Sequence, residues 1–383
     1  RRLRKRGPIC FRGAKDGHPE PSAASLPWVG SFPKNILTSG LNSIPPLIDE
    51  KYRRPKSITR PSQPHHQFSQ HRDTDLLLSN FYLKRQPMIP IRYVEPVFRP
   101  PSEAESLILP VTDGCSWNQC TFCEMYTAPQ KKFRAREDDE IVDSIRQTGE
   151  RYGDQVRRVF LADGDALVLP TRRLLLILDA IRTHLPAVRR VSSYCLPRNL
   201  RKKSQSEIDQ LAAAGLKMVY VGAESGDDQV LAAVKKGETF ETTCEALEKF
   251  GQAGITRSVM ILNGLGGKRY SRQHAENSAK LVNLTQPEYL STLVVSFPTG
   301  EQRFRADFPE WEPLEQPELF VEMEQFLAAL ELKRTVFRSD HASNFLILKG
   351  TLGADKERLL TQVRQAIERP QDAHLRPAWA RGL

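Results

Sequence analysis

The chain has 383 residues, of which 39% are hydrophobic and 27% are charged, and this composition is typical of a soluble globular protein with one or two domains. It has no run of about eighteen apolar residues, which excludes a membrane-spanning helix. Six cysteines are too few for a secreted, disulfide-held protein and predict a reducing, cytoplasmic environment.

The N-terminal segment 1–87 accounts for the whole net charge of +10. It contains 16 Lys and Arg against 6 Asp and Glu, together with eleven prolines, and the remaining residues are balanced at 40 against 40. Such a segment cannot bury enough apolar surface to fold, so we expect it to be disordered. Because the first methionine is Met88, one hypothesis is that 1–87 does not belong to the native product. A basic tail that contacts nucleic acid or a partner is the less favoured alternative.

Strand and helix patterns alternate from residue 106 onward. Apolar segments rich in β-branched residues predict six strands, over 106–112, 157–163, 189–195, 217–224, 256–264 and 289–296. Amphipathic segments predict helices over 137–153, 171–185, 204–215, 227–237, 238–254 and 272–285. With right-handed crossovers, this alternation predicts an α/β fold with a parallel sheet, and the pattern leaves an open sheet and a partial barrel as alternatives.

The predicted organisation has four parts. They are the segment 1–87, a lead-in over 88–105, a core over 106–300 and a small α/β extension over 301–383. The extension contains predicted helices over 315–332 and 355–368. It also contains a polar group that either contacts substrate or forms a hydrogen-bonded junction, consisting of Arg338, His341, Ser343 and Asn344.

Unusual segments follow the predicted strands at their carboxyl ends. In order, they are the cysteine loop after the first strand, DGDAL after the second, SSYC at the end of the third, GAES at the end of the fourth and NGLGG after the fifth. The carboxyl ends of parallel strands meet at one edge of a sheet or barrel, where ligands bind. The sequence therefore predicts one shared site at this edge.

The cysteine loop contains Cys115, Cys120 and Cys123 in the spacing C-x4-C-x2-C. Structural zinc usually needs four ligands, and no histidine lies between His71 and His184. Three thiolates with an open fourth position fit an iron–sulfur cluster whose fourth iron binds an exogenous ligand. Zinc completed by a distant side chain is the minor alternative.

This loop, Phe122 beside Cys123, and the strand-end segments resemble the radical S-adenosylmethionine (SAM) superfamily, and within it the elongator protein 3/MiaB/NifB-like core, over about residues 106–300. The usual family spacing is C-x3-C-x2-C, so this loop has one additional residue. The resemblance implies a parallel (β/α)6 partial TIM barrel in which Cys115, Cys120 and Cys123 hold a 4Fe–4S cluster. SAM would chelate the fourth iron of that cluster.

The same resemblance implies a reaction and its partners. The reduced cluster would cleave SAM to a 5′-deoxyadenosyl radical, which takes hydrogen from a substrate that the sequence does not identify. A reductant such as flavodoxin or ferredoxin would supply the electron. The competing class is a non-catalytic scaffold that binds an iron–sulfur cluster or zinc. No protein acid or base is assigned to the substrate step.

The family pattern also implies residues that bind SAM. Gly164 and Asp165 resemble the last two positions of the glycine-rich GGE motif, and Asp163 replaces the first. Glu224 is the candidate for the ribose hydroxyls. The further candidates are Phe122, Ser193, Arg198 and Ser225. The residues themselves leave alternatives open: a turn at Asp163, a helix cap at Glu224 and Ser225, and a surface arginine at 198.

Overall fold

Ten strands occur in the computed structural model, which describes residues 90–381. In chain order they are β1 (Leu107–Pro110), β2 (Thr112–Asp113), β3 (Arg134–Ala135), β4 (Arg158–Ala162), β5 (Arg190–Tyr194), β6 (Leu216–Glu224), β7 (Thr256–Asn263), β8 (Tyr289–Val294), β9 (Val336–Ser339) and β10 (Leu348–Thr351). The predictions for 1–87 lie outside the described residues.

Nine α-helices occur in the same part of the chain. They are α1 (Asp138–Tyr152), α2 (Thr171–His184), α3 (Gln205–Ala214), α4 (Asp228–Ala233), α5 (Phe240–Gln252), α6 (Gly267–Thr285), α7 (Gln302–Asp307), α8 (Gln316–Ala329) and α9 (Lys356–Glu368). None of the helices within residues 90–381 is both long enough and apolar enough to cross a membrane.

Eight of the strands form one sheet in the order β1-β4-β5-β6-β7-β8-β9-β10. All neighbours in this sheet are parallel except β9 and β10, and β2 pairs with β3 as a separate antiparallel ribbon. The predicted α/β fold with a parallel sheet is confirmed, and each of the six predicted strands is present. Strand β9 was not predicted because its four residues, VFRS, are too few to show a pattern. It continues the sheet beside β8, so the extension adds strands to the core sheet.

Local signals explain several helix boundaries. Ser204 caps α3 in a reciprocal capping box with Glu207, and Gly215 ends that helix with a left-handed φ of 117°. Helix α4 is shorter than its predicted range because Lys235 and Gly237 have left-handed φ angles of 52° and 72°. These two residues therefore lie in a turn, and the turn brings the segment after α4 toward the cysteine loop.

The two faces of the sheet carry different side chains. Toward the helices, β6 and β7 present Val219, Val221, Val259 and Ile261, which are at most 2% exposed and belong to the main hydrophobic core. The alternate residues of β6 face the other way, as the two-residue period of a strand requires. We call this opposite side the inner face; on it, a smaller cluster contains Phe160, Ala162, Met218 and Tyr220.

Glu103 in the lead-in is completely buried against this inner face. Its Oε1 accepts hydrogen bonds from Tyr220 at 2.6 Å and from Arg190 at 2.8 Å, and Oε2 accepts one from Ser106. These bonds satisfy a carboxylate that would be costly to bury alone. The lead-in thus covers the inner face where β5 and β6 begin, and the carboxyl ends of the strands stay available for a site.

Candidate functional site

The three cysteines lie in the loop between β2 and β3. Asp113, the last residue of β2, accepts hydrogen bonds at 2.7 Å from both Arg134 and Arg136. Burial opposes ionisation of this carboxyl, but the two guanidinium groups hold the pKa of Asp113 below its usual value. The base of the loop is therefore fixed by a charged contact between its two ends.

The thiols of this loop are shielded from solvent. Cys120 is 9% exposed, and Cys115 and Cys123 are half-buried. Burial raises the pKa of Cys115 to about 12 and that of Cys123 to about 11, and it also raises the pKa of Cys120. Metal binding must therefore displace protons from these thiols. Within residues 90–381, no three Cys, His, Asp or Glu side chains are grouped to hold a single metal ion.

A buried ion pair lies beside the cysteines. Lys236 Nζ is 3.2 Å from Glu224 Oε1, and neither side chain is more than 7% exposed. Burial alone would lower the pKa of Lys236, but the charge of Glu224 raises it, so the amine stays protonated. A fixed cation here would offset the negative charge of a thiolate-bound cluster. Lys236 could not be identified from the sequence, because one lysine in a KKG turn resembles any surface lysine.

Glu224 ends β6 with a left-handed φ of 65°. Its Oε1 contacts Lys236, but its Oε2 is buried and has no hydrogen-bond partner. A buried acceptor of this kind is costly unless a ligand completes it. The oxygen is therefore available to a hydroxyl donor such as a ribose. Gly222 makes room for this side chain, since a Cβ at Gly222 would lie 2.0 Å from Glu224 Oε1.

Gly164 packs directly against the first cysteine. Its backbone N–H donates to Gly114 O at 3.1 Å, and a Cβ on Gly164 would lie 2.9 Å from Cys115 Cβ and 3.0 Å from Cys115 Cα. Only glycine permits this approach of the segment after β4 to the cysteine loop. The motif that resembled a cofactor cradle is therefore in contact with a predicted metal ligand.

The Gly164→Ala variant should be less stable and should lose metal. The added methyl group must displace the backbone around Cys115, and overpacking of this kind typically costs about 1–3 kcal/mol. Urea unfolding measures the stability, and iron content after reconstitution measures the metal. Gly215→Ala is the control, because nothing lies within 4 Å of a Cβ there. It should lose some stability through its left-handed backbone but keep its iron. Wild-type iron in Gly164→Ala would contradict the role of this contact.

The two acidic residues of the same motif are engaged by the loop. Asp165 is completely buried and accepts hydrogen bonds from the backbone N–H of Ser116 at 3.0 Å and from its hydroxyl. Burial raises the pKa of Asp165 to about 6. Asp163 Oδ2 lies 2.5 Å from the buried amine of Lys131, and its Oδ1 is buried without a partner. Asp163 Oδ1 is thus a second acceptor available to a ligand.

Arg198 also contacts the cysteine loop. Its guanidinium lies 3.6 Å from the centroid of the Trp117 ring, and its Nε donates to Glu238 at 2.9 Å. Trp117 is fixed in turn, since its indole N–H donates to Lys235 O at 2.8 Å. In the structure Arg198 is therefore a stacked, ion-paired side chain that connects the segment after β5 to the cysteine loop.

Two predicted cofactor residues make hydrogen bonds within the protein. Ser193 Oγ lies 3.1 Å from Leu161 O and 2.9 Å from Tyr194 O. Ser225 Oγ accepts from the backbone N–H of Asp227 at 2.9 Å and lies 2.8 Å from His274 Nδ1. Their contact with a cofactor stays a prediction.

Phe122 packs against a second hydrophobic cluster, which lies near the carboxyl ends of the strands. The buried members of this cluster are Val230, Val234, Leu262, Leu265, Phe304, Phe308 and Trp311. The ring of Phe122 also lies 5.8 Å from Lys236 Nζ. Phe122 therefore anchors the loop beside Cys123, and a direct contact with SAM stays a prediction.

The segment that follows β8 holds the cysteine loop from the other side. Arg303 on α7 donates to Cys123 O at 2.6 Å and to Asn118 O at 3.3 Å. The backbone N–H of Thr299 donates to Glu124 at 3.2 Å. The sequence analysis missed these contacts because Arg303 lies beyond the segment that carries the resemblance, and one arginine on a short helix carries no pattern.

A buried polar network from α8 supports the strand ends. Glu322 is 1% exposed, and its two oxygens accept hydrogen bonds at 2.6 Å from the backbone N–H of Gly264 and from the hydroxyl of Ser271. His274 Nε2 lies 4.0 Å away, and its Nδ1 contacts Ser225. The network thus connects the segments that follow β6 and β7.

Glu322→Ala should destabilise the protein by about 1–3 kcal/mol, because it leaves the buried N–H of Gly264 without an acceptor. Glu322→Gln can keep both bonds and should lose less. Burial raises the pKa of Glu322, so its ionisation opposes folding as pH rises above the unfolded value, and glutamine removes that dependence. Urea unfolding at several pH values checks both results. Glu324→Gln, at an exposed ion pair, is the control. Equal stability of Glu322→Ala and wild type would contradict the network.

A comparison with protein families gives a match over the middle of the chain. Residues 109–282 match the family model of the radical SAM superfamily. A search of the curated proteins finds no match.

Several solved structures are similar to this chain. Coproporphyrinogen III oxidase HemN from Escherichia coli is 16% identical with a TM-score of 0.45, over 58% of this chain and 51% of that chain. The methyltransferase TsrM from Kitasatospora setae, with cobalamin and a [4Fe-4S] cluster bound, is 20% identical with a TM-score of 0.42, over 49% and 34%. Methylornithine synthase PylB is 13% identical with a TM-score of 0.42, over 71% and 74%. At these TM-scores the similarities carry no weight for substrate or mechanism.

The family match includes the cysteine loop, the GGE-like segment and Glu224, which the fold brings to one edge of the sheet. The chain spans about a third of the length of TsrM and about half that of HemN. Residues 109–282 are therefore identified as a radical SAM domain, and the cofactors of this superfamily are a 4Fe–4S cluster and S-adenosylmethionine.

Proposed function

We propose that this chain is a radical SAM enzyme in which Cys115, Cys120 and Cys123 hold the cluster and Glu224 binds the ribose of SAM. One observation carries the proposal: the three-cysteine loop lies beside the buried Lys236–Glu224 ion pair, in which Glu224 Oε2 has no hydrogen-bond partner. The chemistry of these groups fits both cofactors, because thiolates bind iron and a carboxylate oxygen accepts bonds from ribose hydroxyls.

The side chains around the loop have distinct roles in this proposal. Gly164 lets the segment after β4 approach Cys115, and Asp165 orients the backbone at Ser116. Asp163 Oδ1 is a candidate acceptor for the ammonium group of SAM, although Lys131 already neutralises Oδ2. Arg198 and Trp117 position the loop as a stacked pair. Burial of the thiols and strand ends keeps water away from the reacting groups.

When bound, a reduced 4Fe–4S cluster and SAM supply a 5′-deoxyadenosyl radical that abstracts hydrogen from a substrate. The superfamily needs an electron donor, and we propose a flavodoxin or ferredoxin for this role. The few, unpaired cysteines of the described region favour a reducing compartment, and we keep a cytoplasmic location as a proposal.

Anaerobic reconstitution tests this function. We expect close to four iron and four sulfide ions per chain, as a 4Fe–4S cluster requires, and 5′-deoxyadenosine that forms only with dithionite or a reduced flavodoxin. One zinc per chain without cleavage of SAM would instead support a non-catalytic scaffold. A redox-inert cluster with no 5′-deoxyadenosine under any donor would also overturn the proposal.

A further inference from the structure

The inner face of the sheet is filled on one half and open on the other. On β4 to β6, the rings of Phe160, Tyr194 and Tyr220 pack with centroids 5.1–6.2 Å apart. On β7 and β8 the inner-face residues are smaller or flexible, and both Met260 and Ser291 are only partly buried. The open half is therefore the space that a substrate can occupy.

Strand register places Arg338 in this open half. The residues Gly222, Met260, Ser291 and Arg338 pair in one row across β6, β7, β8 and β9. Adjacent strands are separated by about 4.8 Å, so Arg338 lies roughly 14 Å along the row from Gly222. Gly222 is the residue whose missing side chain makes room for Glu224. The row thus runs from the proposed cofactor site to Arg338.

The alternation of β9 gives the direction of the Arg338 side chain. Phe337 is completely buried in the core on the helix side, and Ser339 is 2% exposed. Arg338 lies between them and belongs to the inner face, where it is exposed. Its guanidinium donates to Phe337 O at 2.9 Å, and within residues 90–381 no carboxylate forms an ion pair with it.

The neighbouring polar residues are already engaged. Val294 N–H donates to both Ser343 Oγ and Asn344 Oδ1, at 3.1 Å and 3.0 Å, so these two side chains hold the end of β8. His341 Nδ1 contacts Ser343 Oγ at 2.9 Å. Three members of the polar group therefore form a hydrogen-bonded junction, and Arg338 is the member left for a ligand.

The charge balance of this surface indicates what the ligand carries. Lys349 pairs with Arg338 across β9 and β10, and its amine is 2.8 Å from Asp340. Arg338, Lys349 and Arg376, which donates to Asp340 O at 3.4 Å, outnumber Asp340, so this surface is positively charged. A guanidinium binds a carboxylate through two parallel hydrogen bonds, so Arg338 on this surface suits an anionic carboxylate group.

We propose that Arg338 binds a carboxylate of the substrate, and that the substrate extends along Met260 and Ser291 toward Glu224. This inference rests on the proposed function, since it assumes that the substrate lies on the inner face. The predicted substrate class is a small carboxylic acid with an apolar segment between its carboxylate and the reacting carbon. Met260, being flexible and apolar, suits such a segment.

The first experiment measures anion binding without turnover. The side-chain Nε–H signal of Arg338, assigned with Arg338→Gln, is followed by NMR in the cluster-loaded, oxidised protein. Benzoate should give a saturable shift in the millimolar range, and the neutral benzamide should give none. Arg334→Gln, at an exposed arginine just before β9, is the control and should leave the shift unchanged. A larger response to inorganic phosphate, or equal shifts at Arg334 and Arg338, would overturn the carboxylate site.

The second experiment measures turnover. Metabolites from a cell extract are separated into anionic and neutral pools, and 5′-deoxyadenosine formation is followed with each. The anionic pool should stimulate wild type and Arg334→Gln, and the stimulation of Arg338→Gln should be lower by about tenfold or more. Stimulation by the neutral pool alone would overturn the inference. If no variant forms 5′-deoxyadenosine, the proposed function fails, and the NMR result still decides the anion site.

Discussion

Cys120→Ala should reduce the iron content of the reconstituted protein to background and abolish formation of 5′-deoxyadenosine. Cys120 is the most buried thiol of the loop and lies close enough to Lys236 for their charges to interact. Loss of groups that only support metal ligands typically costs 10- to 100-fold in affinity or activity, so loss of a direct ligand should cost more than about 100-fold. Iron analysis, absorption spectra and quantification of 5′-deoxyadenosine check the result.

Cys244→Ala is the matched control for this variant. Cys244 is a half-buried thiol on α5, outside the cysteine loop. It should therefore keep wild-type iron and activity. If Cys120→Ala retained iron and Cys244→Ala did not, the metal site would not be the cysteine loop. If both variants kept full activity, the cluster assignment itself would be wrong.

Glu224→Gln should weaken SAM binding by about 10- to 100-fold while the cluster remains, because a hydrogen bond to a charged acceptor contributes roughly 1.5–3 kcal/mol. Glutamine has the same shape and can still accept a bond from Lys236. The substitution replaces the unpaired Oε2 of the carboxylate with an amide NH2 group, which cannot accept a hydrogen bond from a ribose hydroxyl. Equilibrium dialysis with labelled SAM, on protein of verified iron content, gives the dissociation constant.

Two controls separate ligand binding from folding. Glu276→Gln removes an exposed carboxylate that pairs with Arg272, and it should bind SAM as wild type does. Lys236→Met leaves Glu224 buried without its cation, and breaking a buried pair typically destabilises a protein by about 3–5 kcal/mol. Unchanged SAM affinity in Glu224→Gln, with full iron, would show that Glu224 does not bind the nucleotide.

The fold could be predicted from the sequence because the signals for its strands and helices are local. Each predicted strand is a short β-branched run, and each helix has an amphipathic face or a recognisable end, such as Ser204 and Gly215 around α3. The edge that carries the site followed from the parallel order of the strands. Strand β9 was missed because four residues are too few to show the alternation of apolar and polar side chains that indicates a strand.

Only part of the candidate site could be predicted from the sequence. The three cysteines and Gly164 stand in a recognisable spacing, so their proximity could be predicted. Lys236 and Arg303 could not be predicted, because each is a single basic residue whose partner lies more than ten positions away in the chain. Long-range ion pairs depend on tertiary packing, and a basic residue in one sequence has no pattern that identifies its partner.

The contacts of Arg303 and Thr299 with the cysteine loop have a consequence for biogenesis. A growing polypeptide that has emerged only as far as residue 298 already contains every predicted cluster ligand, yet it lacks the donors that engage Cys123 and Glu124. The loop then has only part of its final support. Insertion of iron and sulfide into this protein should accordingly follow the emergence of α7 from the ribosome.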